Sequence, residues 1–425
     1  MSAPTMGSPA PSRDSSWDPS QGGQSRWGSL RAWLAHPLAP YYLLIGSAGL
    51  LLAIGLVMVL SASGVWALRE FDDSFYALKR QLMWVAGGLV AALVISRAPI
   101  PVIRKSAWPL LLGSVGLLLL TYVPGLGVEV NGSTNWLDFG GPFRVQPSEM
   151  AKLALVVWGA HVYATKGTRL RELRHLAIPM FLGAGLVIAL TVGQKDLGTA
   201  IILAAIVLGL MWVAGVPMWL MAVAATVGGI VGGIFVMLEP FRRARFLSFM
   251  DPLADRLDTG YQGSASLYAF GSGGWWGEGL GASRQKWGRL PEAHTDFIYA
   301  VIGEELGLIG SLVVLVLFLV LAYAGLRIAT RATDRFIRYA VAGVMTWMLV
   351  QAVINLGAAL SVMPITGVPL PLVSYGGSAM VIMLAGLGLV LAAARNDPAV
   401  KAALAARRDA GSTSRRDGAP TSKRR

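Results

Sequence analysis

Ten stretches of the chain are apolar almost without interruption: 41–63, 81–95, 108–122, 149–164, 176–192, 197–213, 218–238, 297–328, 336–360 and 378–394. A bilayer's hydrocarbon core is about 30 Å thick and a helix rises about 1.5 Å per residue, so about 20 apolar residues cross it. The pattern predicts an all-α integral membrane domain of about ten transmembrane helices over residues 39–395. Several runs are short or hold glycine and proline, which membrane helices tolerate where neighbours re-satisfy the backbone. The 297–328 run is long for one crossing, so either it tilts or its first turns rise above the membrane. The stretch 364–378, with Pro364, Pro369 and Pro371, is too broken for a helix and predicts a re-entrant or cavity-lining segment.

The basic residues then set the orientation. The N-terminal tail, three alternate connections and the C-terminal tail together hold 23 Lys and Arg. The short connections opposite hold five: Arg69, Lys79, Arg80, Arg144 and Lys195. Long loops are not counted in the positive-inside rule, so the seven basic residues of the 239–296 loop leave the orientation unchanged. Both termini are expected in the cytoplasm and the 239–296 loop outside. Residues 1–38, rich in Ser, Pro and Gly, predict a disordered tail, as do the basic residues 396–425. The basic tail is either solvated beside anionic membrane lipid or a docking segment for a cytoplasmic partner. The first run begins too late and runs too long for a cleaved signal peptide. No internal repeat is visible, so nothing here supports an inverted-repeat transporter.

Composition narrows the classes further. Apolar residues make up 55% of the 425 and charged residues 14%, against about 25% charged in a soluble domain. A soluble enzyme, a disordered chain and a disulfide scaffold are excluded. With no cysteine and four histidines, no thiolate chemistry is available and a His-based metal cluster is not expected. The net charge of +13 is accounted for by topology, and no nucleic-acid partner is predicted.

Polar residues in a membrane domain are costly and usually functional; here they gather on the outer side, in four places. The first is the loop Asn131-Gly132-Ser133-Thr134-Asn135-Trp136-Leu137, followed by Gln146-Pro147-Ser148-Glu149-Met150-Ala151-Lys152. Pro147 and Ser148 suit a helix start, and Glu149 suits the positive end of its dipole. Lys152, three residues on, can neutralise Glu149 or face a substrate, and the two roles are compatible. The second is Gln194-Lys195-Asp196-Leu197-Gly198, where Asp196 can cap the next helix. The third is the long loop, with Arg242, Arg243, Arg245, Arg256, Arg284, Lys286 and Arg289 and a glycine-rich stretch 271–281 around Trp275 and Trp276. Guanidinium forks suit phosphate, tryptophans suit the headgroup level, and glycine lets backbone N–H groups approach an anion. Together they predict an outward-facing site for an amphiphile with a phosphorylated headgroup.

The fourth place is Pro291-Glu292-Ala293-His294-Thr295-Asp296-Phe297, running into Gly303-Glu304-Glu305-Leu306-Gly307. Asp296, where the loop meets the membrane, is a candidate general base whose pKa desolvation would raise, or an N-cap of the following helix. Glu304, about 12 Å farther along a helix, is expected to serve as a buried partner for a cation such as Lys152. Gln351 and Asn355, four apart, are expected to join helices.

These stretches, with Gly367-Val368-Pro369-Leu370-Pro371-Leu372-Val373-Ser374-Tyr375-Gly376-Gly377, occur in an order that resembles the SEDS family (shape, elongation, division and sporulation proteins) over about 41–394. Met58-Val59-Leu60-Ser61-Ala62-Ser63 and the wording of the Asp296 motif are more similar to the family's cell-division branch than to its elongation branch. The resemblance implies a bacterial ten-helix peptidoglycan glycosyltransferase that polymerises lipid II at the outer face of the cytoplasmic membrane during septal wall synthesis. It implies that Asp296 is the catalytic aspartate. Lys152, Glu149, Trp136, Arg243, Arg245, Gln262, His294 and Ser374 become candidates for substrate binding, and Glu304, Glu305 and Asp196 for support. The implied partners are lipid II, membrane lipids, a class B penicillin-binding transpeptidase and other divisome proteins. A divalent cation such as Mg2+ or Mn2+ is compatible with the pyrophosphate. Three positions depart from the family's pattern: Asn135 stands where Arg is common, Lys195 replaces a proline, and Ala265 replaces a glutamine. Two other classes fit a many-helix chain with intramembrane charges: a lipid II flippase without bond chemistry, and a non-catalytic divisome scaffold.

Overall fold

The computed structural model describes residues 34–130, 132–138, 140, 144–166, 173–238, 243, 246, 249, 260–288 and 290–402, with backbone only at 173–179 and 181. Both tails, for most of their length, and Arg242, Arg245, Arg256 and Arg289 lie outside the described residues, as do the expectations made for them.

All ten apolar runs form helices. They are α1 (Ala39–Phe71), α2 (Tyr76–Arg97), α4 (Ala107–Leu120), α5 (Pro147–Lys166), α6 (Leu173–Gly193), α7 (Leu197–Val213), α8 (Met218–Leu238), α10 (Ile298–Arg331), α11 (Arg335–Ala359) and α12 (Ser378–Asn396). Among the described residues, two more α-helices lie between runs: the single turn-and-a-half α3 (Ile100–Lys105) and α9 (Tyr261–Gly273) in the long loop, which also holds a 3-10 turn at Gln285–Trp287. Among the described residues, six helices are long and apolar enough to cross a membrane: α1, α2, α8, α10, α11 and α12. The chain is a multi-pass membrane protein. α2 packs along α12, α1 along α10, and α5 and α7 against α11. The interior is densest around α5, α11 and α12, where Trp158, Tyr163, Trp347 and Phe336 are fully enclosed. α8 buries no residue and touches mainly α7.

Two elements were not expected. The connection before α5 is a three-stranded antiparallel sheet, β1 (Gly127–Val130), β2 (Ser133–Asp138) and β3 (Arg144–Val145). Along β2, Asn135 and Leu137 are buried while their neighbours are not, the two-residue alternation of a strand with one covered face. The sheet is clipped to the α6–α7 turn, where Thr134 N donates to Gln194 O and Ser133 Oγ donates to Lys195 O.

The second surprise is in α10. The long eighth run is neither simply tilted nor continuous: it breaks at Gly307, with φ 67° and ψ −167°. A break frees backbone groups that must find partners. The carbonyls of Glu304 and Glu305 accept from Glu278 N (2.9 Å) and Gly279 N (3.1 Å), while Leu308 N donates to Gly274 O (2.9 Å) and Ile309 N to Trp275 O (3.3 Å). The glycine-rich stretch therefore plugs a helix break. Its N–H groups at 277–279 bind protein carbonyls, which corrects the expectation that they bind an anion.

Only glycine adopts this backbone at 307 without strain, and a Cβ there would collide with Gly277 N. Gly307→Ala should cost about 3 kcal/mol or more, from strain and overpacking together. Thermal unfolding in detergent checks this against Gly113→Ala, whose Cβ meets nothing within 4 Å.

Candidate active site around Asp296

The segment between α11 and α12 enters the bundle instead of passing over it. Leu370, Leu372, Val373 and Ser374 are buried, and Val373 lies against α1 at Gly55, where a Cβ would come within 2.6 Å of Val373 O. Buried non-helical backbone needs partners. Polar side chains on the flanking helices supply them: Gln81 Nε2 donates to Ser374 O (3.2 Å), Gln351 Nε2 to Pro369 O (2.9 Å) and Asn355 Nδ2 to Val368 O (2.8 Å). Gln351 and Asn355 thus hold this segment, and Gln351 also joins α11 to α5 as expected, its Oε1 accepting from Lys152 Nζ (3.2 Å).

The Asp296 loop is moored to the same segment. Tyr375 N donates to His294 O (3.0 Å), Ser374 Oγ to Thr295 O (2.5 Å), and Asn355 Nδ2 also to Asp296 O (2.8 Å). Phe297 is buried in the core while Asp296 is half-buried. The residue at the N-cap of α10 is Phe297, with no side-chain cap, so Asp296 is not the cap considered for it. Its Oδ2 lies 3.7 Å from where a Cβ on Gly367 would stand. The preceding residue, Thr366, touches α7, its carbonyl 2.5 Å from a Cβ built on Gly198. Asp296 and the start of α7 are therefore neighbours across two consecutive residues.

The first and second stretches meet the same segment. Asp196 does cap α7, accepting from Thr199 N (3.0 Å), and its Oδ2 also accepts from Asn135 Nδ2 (2.8 Å) and Gln146 Nε2 (3.3 Å). Asn135, at the position where arginine is common, is thus matched to a buried carboxylate. Gln146 N donates to Ser378 Oγ (3.2 Å). Lys152 is wholly enclosed, its Nζ 2.7 Å from Glu149 Oε1, 3.2 Å from Gln351 Oε1 and 5.7 Å from the Trp347 ring centroid. The self-neutralising pair is present, and Gln351, which accepts from Lys152, links it to Pro369 of the segment. Ser374, expected at the substrate, is buried. Its hydroxyl is engaged on both sides, accepting from Leu370 N while donating to Thr295 O, so it positions the loop.

Glu304 does not meet Lys152. It accepts from Ser283 Oγ (2.5 Å) and Arg284 N (2.9 Å). Glu305, beside it, binds Lys286 Nζ (2.9 Å), Ser61 Oγ (2.7 Å) and Ser283 N (3.3 Å). Lys286, one of the cations expected to suit phosphate, is buried in this cluster instead and anchors the chain that leads to Pro291. Trp136 is half-buried in β2, Gln262 half-buried in the first turn of α9, and Arg243 exposed beyond α8; Arg245 is outside the described residues. Gln81 escapes sequence reasoning because it sits at the edge of an apolar run. A lone amide on a membrane helix is the signal that could have found it.

His294 lies flat on Trp66 (centroids 4.8 Å, 20° between planes) and tilts against Tyr375 (5.7 Å). Burial pushes its pKa below the usual 6.5, partly opposed by the charge of Glu292. The neutral ring is the folded form, so the stability it contributes is full above 6.5 and is lost as the pH falls through the lower folded value. A proton-NMR titration should place the His294 resonance below 6.5, and Glu292→Gln should lower it further.

Residues 41–398 match the family model of the FtsW, RodA and SpoVE proteins, described as cell cycle protein. The probable peptidoglycan glycosyltransferase FtsW of Mycobacterium tuberculosis is 40% identical over 89% of this chain and 72% of its own. That of Nitrosococcus halophilus is 42% identical over 83% and 91%. A solved chain from a peptidoglycan synthase complex, described for coordinating polymerization and crosslinking, superposes with TM-score 0.69 at 30% identity, covering 86% of this chain and 99% of that one.

Proposed function

Because the chain belongs to the FtsW, RodA and SpoVE family of cell cycle proteins, we propose that it is a peptidoglycan glycosyltransferase of cell division, polymerising lipid II at the outer face of the cytoplasmic membrane. The observation that carries this reading is convergence. The four polar stretches and the re-entrant segment meet at one end of the bundle, and Asp296 is the half-exposed carboxylate among them. In this reading ten helices span the bilayer, both termini are cytoplasmic, and the Asp296 loop faces outward.

Asp296 takes the proton from the 4-hydroxyl of the acceptor N-acetylglucosamine. That oxygen attacks C1 of the donor N-acetylmuramic acid, the C1–O bond to pyrophosphate breaks, and undecaprenyl pyrophosphate leaves. One displacement inverts the anomeric carbon, from an α-linked donor to a β-linked strand. The leaving group needs its charge neutralised more than it needs a proton. With Lys152 committed to a buried pair, Arg243 and Arg245 are the candidate cations for it. A divalent cation carried by the pyrophosphate is compatible with this reading, and no step depends on it here. A class B transpeptidase and other divisome proteins are the proposed partners, the former supported by the complex in which the related chain was solved.

The test is polymerisation of labelled lipid II by the purified protein, alone and with its transpeptidase, with moenomycin present to silence classical glycosyltransferases. Glycan strands are expected. Lipid II crossing the bilayer without strand formation would make the protein a flippase, and neither activity would leave a scaffold.

A further inference from the structure

A run of aromatic rings that the reaction above does not use leads away from the Asp296 loop. It starts at His294, stacked on Trp66. Trp66 meets Phe71 edge-on (5.5 Å, 76°), and Phe71 lies flat on Tyr76 (3.8 Å, 12°). Arg80 closes the run, its guanidinium carbon 5.6 Å from the Tyr76 ring centroid and its Nη1 3.0 Å from the Tyr76 hydroxyl. The rings come from the end of α1, the start of α2 and the Asp296 loop, so they form one ladder only in the fold. Trp66 and Phe71 nonetheless remain 38% and 45% exposed.

Their height along α1 decides what that exposure means. Ser61 already belongs to the charged Glu305–Lys286 cluster, which has no place in hydrocarbon. From Ala39 to Ser61 the helix rises about 33 Å, the thickness of the hydrocarbon core. Trp66 and Phe71 stand roughly 8–15 Å farther out, with Arg69, Glu70, Asp72 and Asp73 beside them. Rings at that level face water, and contiguous apolar surface in water marks a binding face. A β-linked pyranose is the ligand shape that matches. Its axial C–H groups give it apolar faces and its equatorial hydroxyls a polar rim, so it lies on an aromatic ring while its edge stays hydrated. The carboxylates carried by a peptidoglycan strand suit the Arg80 end.

We propose that the Trp66–Phe71–Tyr76 ladder is a stacking subsite for the β-linked amino-sugar strand that extends from the Asp296 site. The inference rests on the glycosyltransferase reading for its occupant, and its test is independent of turnover. The probe is a soluble, uncrosslinked peptidoglycan octasaccharide, titrated by calorimetry against the full chain in nanodiscs carrying Asp296→Asn. Binding is expected, and adding Trp66→Ala and Phe71→Ala together should weaken it about tenfold or more, while Trp66→Phe keeps a flat ring and restores most of it. In the otherwise unaltered protein, Phe71→Ala should shorten the strands made. Absence of octasaccharide binding, or equal binding and equal strand length with the rings removed, would overturn the subsite and leave the rings as an interfacial anchor. A wild-type protein that binds the octasaccharide but makes no strand would instead sink the catalytic reading alone.

Discussion

Asp296→Asn in the purified protein is expected to reduce lipid II polymerisation by about 10²–10⁴-fold, the usual contribution of a positioned general base. The substitution removes the basic oxygen and keeps the shape of the side chain. The loop is held by its backbone: the carbonyls of His294, Thr295 and Asp296 accept from Tyr375 N, Ser374 Oγ and Asn355 Nδ2. None of these bonds uses the Asp296 side chain, so the backbone moorings of the loop survive the substitution. Lipid II consumption followed by gel or chromatography measures the loss, and a thermal melt in the same detergent measures the fold. Full activity in the variant would remove Asp296 from the mechanism. Loss of activity together with loss of the melt would mean that the side chain serves structure instead. Asn355→Ala separates position from chemistry. It leaves the carboxylate but frees two carbonyls, Asp296 O and Val368 O, and should lower kcat more than it changes lipid II affinity.

The helices are legible in the sequence because lipid leaves so little choice. Backbone groups in hydrocarbon must pair within the segment, so every crossing is a helix of about 20 apolar residues. The runs at 197–213 and 218–238 agree with α7 and α8 to the residue. The re-entrant segment is legible for the same reason, since Pro364, Pro369 and Pro371 forbid a helix in a stretch too apolar for solvent. Asp196 is legible as a cap because capping is local, its partner Thr199 N being three residues away.

What stays hidden depends on partners far along the chain. The sheet before α5 consists of strands of two to six residues, too short for alternation to stand out in a polar loop. α9 is a run of Ser, Gly and Ala between aromatics and reads as loop until its docking face on α10 is known. The glycines of 271–281 read as an anion cradle because nothing local reveals that α10 breaks opposite them. The same blindness mispairs Glu304 with Lys152: both are legible as buried charges, but only the fold chooses their partners.

Lys286 is the extreme case, and it carries the second large effect. Its ammonium is buried with three acceptors: Glu305 Oε1 at 2.9 Å, Ser61 Oγ at 3.1 Å and Gly281 O at 2.7 Å. Glu304 and Glu305 are each 1% exposed; Lys286 pairs with Glu305, while Glu304 accepts from Ser283 Oγ and Arg284 N. Lys286→Met keeps most of the apolar stem and deletes the charge. Removing one member of a buried pair costs about 3–5 kcal/mol, because the other is left desolvated and unpaired. The charge and the anchor should fail together. The 281–290 chain, tied to α1 and α10 through this cluster, loses its hold just before the Asp296 motif. The expected result is a lower unfolding temperature in detergent with faster proteolysis of the outer loop, and a fall in polymerisation larger than the fraction unfolded explains. Lys286→Met combined with Glu305→Gln should recover much of the stability, since the uncompensated charge is gone. It should not recover the activity, because the loop remains untied from Ser61. Recovery of both would reduce the cluster to charge balance; recovery of neither would mean that the ammonium's bonds to Ser61 Oγ and Gly281 O, and not charge balance with Glu305, hold the loop in place.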